Sequence, residues 1–170
     1  MCEYCGCRQI EPLAELMDEH LAILDDAGDV EKALRHGERE RVLELLERLR
    51  LHLAAHVRRE EDGVFAALAA MGEFTDEIDE LTQEHRELDE FLRTVDPEDP
   101  MFVERIRKMA AHLAEHIDRE DLGIFPVSVV TLGAPGWDTV TKAHEESPSF
   151  LARSVRPVDR SGLSRHPYVD

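Results

Sequence analysis

The sequence predicts an all-α chain, an up-down antiparallel four-helix bundle with a C-terminal extension. Three observations carry that expectation. Apolar residues recur at three- and four-residue spacing over four long stretches. Gly- and Pro-containing breaks separate those stretches. One pattern also occurs twice: His52, His56, Glu60, Gly63 and Phe65 return in register as His112, His116, Glu120, Gly123 and Phe125. The chain therefore reads as two similar helical hairpins, and two hairpins with short connections make a four-helix bundle.

Taken in order, residues 1–10 form a segment holding Cys2, Cys5 and Cys7. Pro12 suits the first turn of a helix. Leu13, Leu16, Met17, His20, Ile23, Leu24 and Ala27 then share one face, and the pattern fades through Gly28 to stop near Gly37. A second helix is expected from about Glu38, carrying Val42, Leu45, Leu46, Leu49, His52, Leu53, His56 and Glu60 inward and running toward Met71, with Gly72 as its stop. The third opens near Thr75, with the threonine hydroxyl as its expected cap, and turns Ile78, Leu81, His85, Leu88 and Leu92 inward. Residues 96–100, with Pro97 and Pro100, break the pattern. The fourth helix is expected over about 101–122, with Met101, Phe102, Ile106, Met109, His112, Leu113, His116 and Glu120, and Pro126 should end or kink it. The bundle thus spans 11–132. Residues 133–170 read as one short helix at 136–145 followed by an extended tail.

The net charge of −18 leaves no basic stripe for a nucleic-acid partner and would be repelled by an acidic membrane surface. No apolar run approaches the ~18 residues of a membrane span. The chain opens without a basic segment followed by an apolar stretch, and its three cysteines crowd one end. A reducing cytoplasm and no disulfide framework are the expectation.

Residues four apart lie above one another on a helix, so His56 and Glu60 point the same way, as do His116 and Glu120. His20 and His85 stand alone on the inward faces of the first and third helices. Four imidazoles and two carboxylates thus meet in an apolar interior, where such groups are costly unless something positive binds them. Supplied symmetrically, they suit two metal ions, and imidazole with carboxylate but no thiolate fits iron, manganese or zinc. A ferritin-like scheme needs Glu three residues before His on a helix, and no His in this chain has it. His52 and His112, one turn before the inward pairs, read either as outer partners or extra ligands or as ordinary core histidines. Gly63 and Gly123 read as room for close packing or a channel, and Phe65 and Phe125 as core. The cysteines support three readings: a zinc site completed by His144 or His166, a redox pair, or an incidental chain end.

A lone His, then His-x-x-x-Glu followed by a second acid, then a lone His, then His-x-x-x-Glu with Ile124, Phe125 and Pro126 after it, resembles the hemerythrin-like HHE cation-binding domain over roughly residues 11–130. The resemblance implies an oxygen-bridged di-iron centre held by His20, His56, Glu60, His85, His116 and Glu120, with Glu60 and Glu120 bridging. It implies dioxygen, peroxide or nitric oxide as a small-molecule ligand. The respiratory oxygen carriers of that family have a further His one turn after the third-helix His, where this chain has Asp89. They also use an Asp at the spacing of Asp121, so Glu120 and Asp121 compete for one place, and Glu120 is favoured because it repeats Glu60. Losing one His makes the chain resemble the members that handle oxygen, peroxide, nitric oxide or iron itself. An enzymatic alternative, decomposing peroxide or reducing nitric oxide, would draw on His52, His112 or Glu61 as acid or base, and an iron-sensing or iron-storage module is a further alternative. A zinc-only structural bundle is the last.

Overall fold

The computed structural model describes residues 6–154. A 3-10 turn at Cys7–Gln9 leads into α1 (Glu11–His36), α2 (Arg39–Glu60), α3 (Ala66–Ala69), α4 (Thr75–Thr94), α5 (Phe102–Arg119), α6 (Phe125–Thr131) and α7 (Ala134–Glu146). Two π-helical turns, Glu61–Phe65 and Glu120–Ile124, join α2 to α3 and α5 to α6. There is no strand among the described residues, and none of their helices is long and apolar enough to cross a membrane.

The long helices α1, α2, α4 and α5 pack in a closed ring, each against the next and α5 back against α1. Their directions follow from paired contacts. Glu19 meets His56 and Asp26 meets His52 across the α1/α2 seam. Glu80 meets Arg119 and Glu84 meets His116 across the α4/α5 seam. Arg50 with Asp89 and Glu61 with His85 join α2 and its π turn to α4, and His20 with Asp121 and Glu31 with Arg107 join α1 to α5 and its π turn. In every pair the numbers rise on one helix as they fall on the other, so neighbours run antiparallel.

Local chemistry sets the ends. Pro12 lies in the first turn of α1, where its missing N–H costs nothing. Gly37 closes that helix in the left-handed conformation at φ 70°, and the N–H groups of Gly37 and Glu38 return to the carbonyls of Leu34 and Ala33 at 3.1 Å each. Three boundaries differ from expectation. Thr75 is the first helical residue rather than a cap, because Phe74 takes the preceding position at φ 59° and no side chain caps the helix. Pro126 does not end the fourth helix. It falls in the first turn of α6, after the π turn, where proline is tolerated. The chain after 146 is not all tail: Ser149 and Phe150 are buried, and Leu151–Ser154 forms a 3-10 turn.

The apolar interior comes in two bodies. One holds Ile23, Val30, Leu45, Leu49, Leu92, Ile106 and Leu113, with Phe150 added from the C-terminal segment. The other holds Leu13, Met17, Val64, Phe65, Leu68, Leu81 and Phe125, together with Cys7 and with Val140 from α7. Along each long helix the positions of the expected metal ligands fall between the two.

Candidate metal centre

His20, His56, Glu60, His85, His116 and Glu120 converge in that middle layer, and all six are buried. The rings form two pairs. His20 and His56 meet edge to face with centroids 4.5 Å apart, and His85 and His116 do so at 4.7 Å. Nε2 of His85 and of His116 stand 2.9 Å apart. Each carboxylate reaches both pairs. Glu60 directs Oε1 to His20 and His56, at 3.4 and 3.2 Å, and Oε2 to His85 at 3.6 Å. Glu120 directs Oε2 to His20 at 3.2 Å and Oε1 to His85 and His116, at 3.5 and 3.2 Å. Donor atoms of His20, His56, Glu60 and Glu120 lie within 4.8 Å of one another, as do those of His85, His116 and Glu120.

Five of the inner atoms of this cluster lack a hydrogen-bond partner. His20 Nε2 and all four carboxylate oxygens of Glu60 and Glu120 are buried without a hydrogen bond. Five orphaned polar atoms aimed at one point would be costly as an empty core. They are a donor set that a bound cation could complete.

The outer atoms, by contrast, are all engaged. Each imidazole donates from Nδ1 to a carboxylate on the adjoining helix: His56 to Glu19 at 2.8 Å, His85 to Glu61 at 3.0 Å, His116 to Glu84 at 2.7 Å and His20 to Asp121 at 2.9 Å. Every seam of the ring is crossed once. Such bonds fix the tautomer, leaving Nε2 free to ligate, and raise the basicity of the ring. The acids are held in turn. Arg59 pairs with Glu19 and Glu15, and its repeat partner Arg119 pairs with Glu84 and Glu80. Phe65 stacks on His85 with centroids 5.7 Å apart, and Phe125 on His20 at 5.6 Å.

Without a metal, protons take its place. Burial alone would push Glu60 up, and Glu120 beside it adds to that, but His56 and His20 hold its carboxyl down to about 2. Burial opposes ionisation of Glu120 too, and His116, His20 and His85 outweigh it and keep it well below the usual carboxylate range. Burial pulls His85 down, yet Glu120 and Glu61 raise it to about 10. His20 is raised well above its ordinary value: Asp121, Glu120 and Glu60 overcome its burial. His56 and His116 are raised as well, against burial, chiefly by Glu60 and Glu120 respectively. A cation entering this layer would therefore displace protons.

One π turn begins right after Arg59-Glu60 and the other at Glu120, right after Arg119, a type of irregularity that concentrates at functional sites. There Glu60 faces the centre and Glu61 the α4 seam, while Glu120 faces the centre and Asp121 the α1 seam. Glu120 and Asp121 thus occupy different places, one inner and one outer.

Other sequence candidates fall elsewhere. His52 is outside the cluster: its Nδ1 bonds Asp26 at 2.6 Å and its ring stacks on Phe150 with centroids 4.3 Å apart. His112 is exposed and lines a groove between α4 and α5. The reason is the helical pitch. Each four-residue step overshoots a full turn by about 40°, so two steps back from Glu60 or Glu120 leave the inward face. Room for close packing holds at Gly63, where an added Cβ would stand 3.4 Å from the Ala143 Cβ and 3.6 Å from the Val140 Cα, and not at Gly123, which faces open space. Cys7 is buried and disulfide-bonded, so it has no thiolate to offer zinc. His144, one of two histidines expected to complete such a site, instead meets Arg59 and Glu15. Cys2, Cys5 and His166 lie outside the described residues.

The roles of Glu19, Glu84, Arg59 and Arg119 went unread in the sequence, although the signal was there. The doublets Glu19-His20 and Glu84-His85 repeat, as do Arg59-Glu60 and Arg119-Glu120. Against known proteins, the family described as Hemerythrin HHE cation binding domain matches residues 11–128. No curated protein and no solved structure gives a significant match.

Proposed function

Because the chain belongs to the hemerythrin HHE cation-binding domain family, we propose that it holds two iron ions in the middle layer and uses them to bind or sense dioxygen or a related small molecule such as peroxide or nitric oxide. The observation that carries the two-ion reading is the reach of Glu60 and Glu120, each of which presents oxygens to both histidine pairs. In this reading His20, His56, His85 and His116 ligate through Nε2, and the two glutamates bridge. Six protein donors without thiolate suit iron, and they leave positions open on a pair of ions. Bound there, iron supplies redox chemistry and an exchangeable coordination position.

The chain's own groups do the rest. Glu19, Glu61, Glu84 and Asp121 orient the four rings, and the apolar bodies on either side keep bulk water from the donors. Binding is favoured over catalysis because the acid–base groups an enzyme would draw on are committed elsewhere. His52 is bonded to Asp26, His112 faces outward, and Glu61 is bonded to His85.

Metal analysis and spectroscopy test the reading. The purified protein should carry about two iron atoms per chain, and its spectrum should change reversibly on anaerobic reduction and re-exposure to air. Glu60→Ala and Glu120→Ala should each lower occupancy, and the double variant should hold no pair of ions while keeping its helix content. A colourless, zinc-loaded protein, or two ions retained in the double variant, would sink the proposal.

A further inference from the structure

The two halves of the centre carry the same donors under different cover. In the first half Arg59 and Glu19 are sealed, with side chains 1% and 0% exposed. In the second half their counterparts Arg119 and Glu84 are 43% and 30% exposed. The cover comes from residues beyond the family match, which ends at 128. Helix α7 lies on the first π turn, with Val140 and Ala143 against Gly63, while at Gly123 of the second π turn no described residue comes within 4 Å of where a Cβ would stand. His144 of α7 reaches the terminal nitrogen of Arg59 at 2.6 Å. An arginine only donates, so Nδ1 of His144 accepts. Phe150 seals the seam by stacking on His52. The segment therefore holds a chain of contacts, His144 to Arg59 to Glu19 to His56, that ends on a donor of the first histidine pair.

Among the described residues no such strap crosses the second half, and two cavities adjoin it. One, of about 700 Å³, lies between α4 and α5 and is lined by Glu84, His116 and Arg119 among others. The other, of about 240 Å³, lies between α2 and α4 and is lined by Leu53, Val57, Leu88, Glu61 and His85. Both have a histidine of the second pair in their wall.

We propose that the C-terminal segment makes the two metal positions unequal: the His20/His56 position is locked beneath α7, and the His85/His116 position is the one at which divalent metal enters and leaves. The inference rests on the two-ion reading above. Release of an ion from a site needs its ligands to swing away and water to reach the metal. In the first half that motion is opposed by a buried Arg59 tied to α7. In the second it needs only a half-exposed Glu84 and Arg119 to move into an existing groove.

Release kinetics test it without recourse to any activity. Protein loaded with two equivalents of cobalt(II) is mixed with excess EDTA and followed by the cobalt absorption. Two phases of equal amplitude are expected, separated by about tenfold or more, the scale on which outer partners of metal-bound histidines act. Crystals taken after the fast phase should show anomalous scattering at His20, His56 and Glu60. His144→Ala and Val140→Ala should speed the slow phase and leave the fast one unchanged, whereas Arg119→Ala should speed the fast phase alone. Release of two ions in one phase, or a residual ion on His85 and His116, overturns the inference and leaves the two-ion reading intact. Uptake of a single cobalt overturns that reading and takes this inference with it. The wild-type kinetics and the position of the residual ion decide the matter even if a variant fails to fold.

Discussion

The middle layer and the apolar bodies on either side of it solve opposite problems. In the apolar bodies every side chain gains by leaving water, and any neighbour of suitable shape will serve. Leu49, Leu113 and Phe125 are fully buried in this way. In the middle layer every group loses by burial and is repaid only by specific partners: Glu19 by His56 and Arg59, Asp121 by His20. The first kind of region makes the bundle. The second kind spends stability on a site, and five of its inner atoms are left without a hydrogen bond. Fold and centre should therefore be separable by mutation.

The largest expected effect is on the apolar side. Leu113→Ala should cost about 2–5 kcal/mol of unfolding free energy, because it leaves a cavity in a close-packed layer. Urea melts of the metal-free protein measure that cost, and metal analysis should show an unchanged stoichiometry. Loss of the metals in Leu113→Ala would break the separation.

A smaller effect is expected among the outer acids. Glu19→Gln and Glu84→Gln keep the size of the side chain and weaken the hold on Nδ1 of His56 and His116. Each should lower metal affinity by about 10–100-fold. Glu19 should matter more, since it is fully buried and Glu84 is screened by water. Competition titration against a chelator reads both, and equal losses would argue that cover does not distinguish the halves.

The last is a pH effect on the metal-free protein. Glu60 is depressed from 4.5 to about 2, so its contribution is present above about pH 4.5 and lost as pH falls toward 2. His85 is raised from 6.5 to about 10, so its contribution is whole below about pH 6.5 and lost as pH rises toward 10. Melting temperature after chelation should form a shallow dome with its top between these limits. Metal should reverse the alkaline side, because deprotonated imidazoles bind it better. A flat profile in the metal-free protein would mean that the layer is not charged as described.

The same contrast explains what was legible in the sequence. Apolar layers follow helical period, so α1, α2, α4 and α5 could be read from spacing, and so could six inward donors at four-residue steps or in repeat register. The outer partners follow no period on their own helix. Asp121 serves His20 and Glu61 serves His85 from a different hairpin, and only packing shows which acid meets which ring. His52 and His112 misled for the converse reason: they repeat perfectly yet have turned off the inward face. The cover by α7 was invisible because Val140, Ala143 and His144 mean nothing until Gly63 and Arg59 are beneath them.

The four bonds from imidazole to acid, one for each seam, also bear on handedness. A bundle with the same leucine layers can wind clockwise or anticlockwise, and apolar packing separates the two windings poorly. The acids separate them well. Glu19, one residue before His20, sits on the flank of α1 that meets α2, and Asp121, one residue after Glu120, sits on the flank that meets α1. Reversing the winding would turn Glu19 toward the helix of His116, where Glu84 already serves the ring. It would strand a buried carboxylate and Arg59 with it, at a cost of several kcal/mol. The groups that hold the four imidazole rings in place thus also tell the chain which way round to fold.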